Sequence, residues 1–289
     1  MESNYSAKAN LQNSSDYIET APNVLLHVKD YGHGKPVILI HGWPLSSDMW
    51  EHQIQVLVDN NFRVLAYDRR GFGKSSHPWD GYDYDTLADD LRAIIDEKGL
   101  SEVTLVGFSM GGGEVARYFS RHSGHGITKA VFISSVTPFM LKTDDNEDGM
   151  PKEDFDKMEF QIRKDRFDFL KTFGKEFYGV GLISKPVSSA HLENDFHIAA
   201  GASPRATLEC LHAFSRTDFR ADLHVINVPT LMIHGDEDKT VPIESSSEKA
   251  ANLIPNCRFI MYDGAPHGLF YTEKERLNRD LIEFLNEIW

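Results

Sequence analysis

The chain has 289 residues, 41% of them hydrophobic and 26% charged, and a formal net charge of −14. Its length allows one large domain or two small ones with a sizeable core, while the negative balance excludes nucleic acid as an expected partner, since phosphate-backbone binding needs a basic surface. No apolar run approaches the roughly 20 residues that span a bilayer, and Met1 to Asp16 lack a basic segment leading into an apolar one, so neither membrane nor export is expected and a cytoplasmic location is the default.

Residues 1–16, rich in Ser, Asn and Ala, read as a loose or disordered tail, with order beginning near Tyr17. Val24 to Tyr31 alternates apolar and polar residues as a half-buried strand does, and Gly32-His-Gly34 turns into a second strand, Pro36 to Ile40. That strand is apolar on both faces, which suits the interior of a parallel sheet, and it ends in His41-Gly-Trp43-Pro44. Helical spacing follows from Trp50 (Ile54, Leu57, Val58), then a strand from Phe62 to Tyr67. Asp68-Arg-Arg-Gly-Phe-Gly73-Lys-Ser75 contains Gly-Lys-Ser, but a phosphate loop needs glycine where Asp68 stands, so ATP or GTP binding is not supported.

Leu87, Leu91, Ile94 and Ile95 mark a helix that Gly99 ends. Next comes Val103-Thr-Leu-Val-Gly107-Phe-Ser109-Met110-Gly111, an apolar run entering Gly-x-Ser-x-Gly, followed by helical spacing at Val115, Ala116, Tyr118 and Phe119. The bare pentapeptide arises by chance about 0.1 times in a chain of this length. A strand before it and a helix after it are the context that makes it a nucleophile elbow, with the serine hydroxyl raised above the sheet. Ala130 to Ser134 is a further buried strand, and strands alternating with helices indicate a parallel α/β sheet.

At Val136-Thr-Pro138 the rhythm breaks. From there to about Asn227 the chain is charged and aromatic, with helices expected at Glu153 to Leu170 and Pro204 to Phe214, and with Phe155, Phe160, Phe167, Phe169, Phe173 and Phe177 as their apolar core. Strands resume at Thr230 to Gly235, before Asp236-Glu-Asp238, and at Cys257 to Tyr262, before Asp263-Gly-Ala-Pro-His267-Gly268. Helices are expected at Ile243 to Leu253 and around Leu277, Leu281, Ile282, Phe284 and Leu285. The expected architecture is α/β, a mostly parallel central sheet flanked by helices over 17–137 and 228–289, with a helical cap inserted at 138–227. A cap over the serine would exclude water and shape an acyl pocket.

A serine hydroxyl needs a base, and the base needs a third group to fix its tautomer. Active groups in an open α/β sheet gather beyond the carboxyl ends of strands, and His267 lies there, completing the order Ser…Asp…His. His41 and His234 also end strands but precede glycine and are expected to brace turns, while His122 and His125 near a helix end are expected to be solvated. The acid is Asp236 or Asp238, both of which follow the same strand. An oxyanion needs two backbone donors: Met110 supplies one, and because Pro44 has no N–H, Trp43 is the natural second. No compact ligand cluster implies a metal, and Cys210 and Cys257, far apart, are expected to be buried, reduced thiols.

His41-Gly-Trp-Pro-Leu-Ser46, Tyr67-Asp-Arg-Arg-Gly-Phe-Gly-Lys-Ser75, Gly107-Phe-Ser-Met-Gly-Gly-Gly-Glu114, His234-Gly-Asp-Glu-Asp238 and Gly264-Ala-Pro-His267 together resemble the cofactor-free haloperoxidase (perhydrolase) and aryl-esterase family of α/β-hydrolases. The match runs from about Thr20 to the C-terminus. The resemblance implies Ser109 as nucleophile, His267 as base and Asp238 as the triad acid, and Trp43 and Met110 fall on matching positions. It also implies an acyl-enzyme formed from an ester or short carboxylic acid, released by water as an acid or by hydrogen peroxide as a peracid that oxidises halide, with no heme, flavin or vanadium. Pro44 resembles the perhydrolase side of the family. Dehalogenases and epoxide hydrolases of this fold carry aspartate at the elbow and are disfavoured by Ser109. The remaining alternatives are a plain carboxylesterase or lactonase, and a non-catalytic small-molecule receptor. Self-association is an expectation resting on the resemblance alone.

Overall fold

The computed structural model describes residues 16–288. The tail expected over 1–16 therefore lies outside the described residues except for Asp16, whose carbonyl accepts a hydrogen bond from the Val28 amide at 2.6 Å.

In chain order the elements are β1 (Tyr17–Ala21), β2 (Val24–Tyr31), β3 (Lys35–Ile40), a 3-10 turn (Ser47–Trp50) running into α1 (Glu51–Asp59), β4 (Phe62–Tyr67), α2 (Tyr84–Glu97), β5 (Val103–Phe108), α3 (Met110–His122) and β6 (Ile127–Ile133). An insert of helices follows: α4 (Lys152–Lys164), α5 (Arg166–Phe177), α6 (Ser189–Ala200), α7 (Pro204–Arg216) and α8 (Arg220–His224). The chain then returns through β7 (Thr230–Gly235), a 3-10 turn (Ile243–Ser245), α9 (Ser247–Ala251), β8 (Cys257–Tyr262), α10 (Leu269–Thr272) and α11 (Lys274–Asn286).

One eight-stranded sheet has the order β1-β2-β4-β3-β5-β6-β7-β8. β1 and β2 join antiparallel at one edge, and all the other pairings are parallel except β2 with β4. The central strands are buried on both faces, as β5 and β7 are along their whole length, which is why their sequences are continuous apolar runs rather than alternating ones. Register aligns the strand ends: Ile40 pairs with Gly107, Phe108 with Ile133, Ile133 with Ile233, and Gly235 with Tyr262. The loops that leave β3, β5, β7 and β8 therefore emerge side by side.

Two helices differ from their expected extents. The helix expected over Glu153 to Leu170 is two helices, broken at Asp165, whose extended backbone lets its carboxylate cap α5 by accepting from the Asp168 amide at 3.0 Å. The helix expected over Ile243 to Leu253 is a 3-10 turn and a short helix separated by Ser246. Strand β1 and helix α6 were not foreseen. Of the six phenylalanines expected as core of the insert, Phe155, Phe169, Phe173 and Phe177 are buried, whereas Phe160 and Phe167 are exposed. The start of α7 is built as its sequence suggests, with Ser203 accepting from the Ala206 amide and Pro204 in the first turn.

Candidate active site

Ser109 stands between β5 and α3 with φ +53° and ψ −118°. A side chain at positive φ costs about 1–3 kcal/mol, and the surroundings hold it: the Ser109 amide donates to Ile133 O at 2.9 Å, and its carbonyl accepts from Gly112 at 3.0 Å and from Val136 at 3.3 Å. The glycines on either side are required by close approach. A Cβ at Gly107 would stand 2.5 Å from Gly111 O, and one at Gly111 would stand 2.5 Å from Ile40 O. Strand, helix and the end of β3 thus touch backbone to backbone, and α3 begins directly after the serine.

Ser109 Oγ lies 3.0 Å from His267 Nε2, and His267 Nδ1 lies 2.6 Å from Asp238 Oδ2. All three residues are buried. A carboxylate only accepts, so Nδ1 carries the imidazole proton and Nε2 is left to accept from the serine hydroxyl. Asp238 is fixed in rotation because its Oδ1 accepts from the Thr240 amide at 2.9 Å and the Val241 amide at 2.8 Å. Burial pushes its carboxyl pKa up, but the electrostatic attraction of the His267 ring and hydrogen bonds from His234 and His267 outweigh burial and hold it well below the ordinary carboxylate range.

The structure separates the two aspartates that chain order alone leaves open, and it is Asp238, the one the resemblance implies, that meets His267. Asp236 sits nearer the strand end, half-buried, and accepts from the Gly264 amide at 2.6 Å, so it orders the loop that carries His267. The role of His234 is larger than bracing a turn. Its Nε2 lies 2.8 Å from Val241 O, a pure acceptor, and 3.1 Å from Asp238 Oδ2, while Nδ1 lies 2.6 Å from Ser247 Oγ. His234 therefore points its proton between the backbone and the same carboxylate oxygen that faces His267. The pair His234 and Asp238 at a spacing of four was visible in the sequence, but nothing there showed that the loop folds back on itself.

His41 is buried and its ring is held by backbone groups: Nδ1 lies 2.9 Å from Gly42 O, and Nε2 accepts from the Arg69 amide at 2.9 Å. Burial first, and then the Arg69 charge, keep its pKa well below that of free histidine. Of the helix-end histidines expected to be solvated, His122 is only 18% exposed at its side chain and lies 3.0 Å from an Asp89 oxygen.

A buried ion pair braces the site. Arg69 bonds Glu114, the fifth residue of α3, and its Nη2 donates to His41 O at 2.6 Å; Tyr67 Oη donates to the other Glu114 oxygen at 2.5 Å. One guanidinium thus ties α3, which begins at Met110, to the backbone leading into Gly42 and Trp43. Arg69 and Glu114 were both inside quoted motifs, but charged residues in a motif look solvated until the layers are assembled.

Trp43 and Met110 flank the serine. Met110 is the first residue of α3, where amides have no intrahelical acceptor. Trp43 is buried, with Nε1 donating to Thr207 O of α7 at 3.1 Å and its ring packed on Phe173 (5.2 Å), Phe214 (5.6 Å) and Phe169 (6.1 Å). Pro44 follows it through a cis peptide bond and lines a cavity under α5 and α6. The helical insert closes over the group: Phe177 stands edge-on to the His267 ring at 4.8 Å, and Phe108 flanks that ring at 4.9 Å. Ser109 opens onto a chamber of about 30 Å³ lined by Trp43, Val136, Met140, Phe155, Phe173 and Phe214 among others. Among the described residues no cluster of His, Cys, Asp and Glu could hold a metal ion, and no helix is long and apolar enough to cross a membrane.

The profile of the alpha/beta hydrolase fold matches residues 35–274. Over 270 residues the chain is 41% identical to the non-heme chloroperoxidase CPO-A1 of Kitasatospora aureofaciens, covering 93% of this chain and 98% of that one. It is 42% identical over 272 residues to the bifunctional esterase/perhydrolase DCH of Acinetobacter calcoaceticus, covering 93% and 99%. The crystal structure of a bromoperoxidase from Bacillus anthracis superposes with a TM-score of 0.91 at 46% identity, covering 94% of this chain and 99% of that one. With a matched profile over most of its length, near-complete coverage of these relatives and a serine at the elbow, the chain belongs to the α/β-hydrolase family, in its non-heme haloperoxidase and esterase/perhydrolase branch.

Proposed function

We propose that the protein is a serine hydrolase that works through an acyl-enzyme and passes short acyl groups to water or to hydrogen peroxide. The observation that carries this reading is the unbroken proton path from Ser109 Oγ to His267 to Asp238, at 3.0 and 2.6 Å, beneath a small apolar chamber.

In the first half-reaction Ser109 Oγ attacks the carbonyl carbon of an ester while His267 Nε2 takes the hydroxyl proton. The carbonyl oxygen becomes an anion received by the amides of Met110 and Trp43. Collapse breaks the carbon–oxygen bond to the alcohol, which leaves with the proton from His267. In the second half-reaction water or hydrogen peroxide gives its proton to His267 and attacks the acyl carbon, and Ser109 recovers its proton as the carboxylic acid or peracid departs. From a free acid the net change is acid plus peroxide to peracid plus water, and the peracid then oxidises halide in solution. The cap over 138–227 supplies Phe155, Phe173 and Phe214 to the small chamber over Ser109, which favours a short acyl tail.

Two observations support peroxide as acceptor: the likeness to a protein named as a bifunctional esterase/perhydrolase, and Pro44 beside Trp43, where a proline fixes the backbone next to the oxyanion donor. The test compares p-nitrophenyl acetate hydrolysis with peracetic acid formation from acetate and peroxide. Both activities are expected, and both should vanish together in Ser109→Ala. Ester hydrolysis with no peracid at millimolar peroxide would leave a plain carboxylesterase.

A further inference from the structure

The two amides that receive the oxyanion are aimed by different means. Each belongs to a trans peptide unit, in which the carbonyl and the N–H point in opposite directions, so whatever holds the carbonyl also aims the N–H. The unit that carries the Met110 amide has Ser109 O as its carbonyl, which accepts from the Gly112 and Val136 amides at 3.0 and 3.3 Å. The unit that carries the Trp43 amide has Gly42 O, which accepts from the Leu45 amide at 3.0 Å and lies 2.9 Å from His41 Nδ1. All of these holds are backbone amides except His41.

The His41 ring has one place for its proton. Nε2 accepts from the Arg69 amide at 2.9 Å and is therefore bare. The neutral ring then carries its proton on Nδ1, facing Gly42 O, which can only accept. Arg69 grips the same turn through Nη2, which donates to His41 O at 2.6 Å; its Nη1 stands 3.3 Å from His41 Nδ1, where two donors meet and no bond forms. Gly42 in turn is pressed against the nucleophile. A Cβ there would stand 3.0 Å from Ser109 Cβ and 2.5 Å from the Phe108 ring. A rotation of the Gly42–Trp43 peptide therefore moves the Trp43 N–H relative to the oxygen that Ser109 attack leaves charged.

We propose that His41 is a positioning residue of the oxyanion site: its Nδ1–H fixes the rotation of the Gly42–Trp43 peptide and so the aim of the Trp43 amide. This deepens the serine-hydrolase reading above and rests on it. The oxyanion forms only on the way through each half-reaction, so the contribution falls on kcat and not on KM. It is the same whether water or peroxide removes the acyl group, because the same oxygen becomes charged.

Two substitutions divide the ring's two bonds. His41→Asn puts an amide nitrogen where Nδ1 stands and keeps the donor to Gly42 O; His41→Gln puts its amide where Nε2 stands, keeps a partner for the Arg69 amide and loses the donor to Gly42 O. Both remove the ring and its edge contact with Phe72 at 5.6 Å, so both should lower the Tm alike. With p-nitrophenyl acetate, kcat of His41→Asn should stay within about threefold of wild type, and that of His41→Gln should fall about 30-fold with KM unchanged, less than the about 10²- to 10³-fold that loss of a whole oxyanion donor costs. Affinity for ethylboronic acid, which adds to a serine hydroxyl as a tetrahedral anion, should fall in the same order by calorimetry. In the unaltered protein, ring-nitrogen NMR shifts should report His41 as the Nδ1–H tautomer. Equal losses of kcat in the two variants, a loss in His41→Gln carried by KM, or an Nε2–H tautomer in wild type overturns the proposal and leaves ester hydrolysis standing. Boronate affinity graded in the expected order, in a chain that hydrolyses no ester, upholds the positioning role and overturns the hydrolase reading alone.

Discussion

Asp238 and Asp195 are both buried carboxylates, one in the sheet loops beneath His267 and one in the helices that cover it, and their surroundings drive them in opposite directions. Asp238 is surrounded by donors: two backbone amides, His267 and His234 hold it ionised. Asp195 has the Tyr178 hydroxyl, a long contact from Asn194 and a neighbouring His191, set against an apolar cavity, and burial pushes its pKa up. The floor of the site is thus a polar lattice in which each proton has an assigned place. The cap is mainly aromatic packing. Loss of one member should be severe below and graded above.

The sharpest test is Ser109→Ala, which should lower ester turnover by about 10⁴-fold or more while moving the Tm by no more than about 4 °C; retained turnover would mean that another group does the chemistry. Asp238→Asn should cost about 10³- to 10⁴-fold in kcat, because an amide facing Nδ1 favours the wrong imidazole tautomer. The two aspartates should also part in pH dependence. A carboxyl whose pKa is depressed by folding stabilises above its unfolded value and loses that contribution as pH falls through the folded value. The Tm deficit of Asp238→Asn should therefore be largest at pH 7 and shrink below about pH 4. For Asp195 the folded pKa is raised, so the wild-type fold loses stability as pH rises through it, and Asp195→Asn should gain on wild type as pH increases. Calorimetry of both variants from about pH 2 to pH 8 reads the two slopes, and slopes of the same sign would erase the contrast.

Smaller effects refine it further. Glu114→Gln leaves the Arg69 charge buried without its partner and should cost about 3–5 kcal/mol in urea unfolding, with Arg69→Met/Glu114→Leu recovering most of that loss. Smallest of all, Gly174→Ala should stabilise α5 by about 0.5–1 kcal/mol in urea unfolding, since a Cβ there meets nothing within 4 Å. No gain in stability would mean that α5 needs its glycine at this position.

Much of this layout was legible in the residues. Continuous apolar runs in β3, β5 and β7 report strands buried on both faces, and small residues around Ser109 report backbone contact, because both are demands that a single segment must meet by itself. The helical insert was legible as helical and aromatic but not in its breaks. Asp165 could have continued a helix by local preference, and only its capping of α5 shows why the chain turns there. The choice between Asp236 and Asp238 was not readable from spacing, since it depends on which carboxylate two amides of its own loop rotate toward His267. Arg69 and Glu114 are hidden because each finds its partner in another element: the two lie 45 residues apart, and Arg69 also reaches His41, 28 residues away. His234 faces Asp238 only four residues on, across a loop that folds back on itself.

The insert leaves β6 and re-enters at β7, neighbouring strands paired at Ile133 and Ile233. Both of its ends are therefore anchored at one seam of the sheet, while Ser109, Asp238 and His267 hang from strand ends that its length does not affect. A descendant could lengthen, shorten or replace these helices without moving the seam, so new substrate preferences can be acquired there while the machinery below is inherited intact.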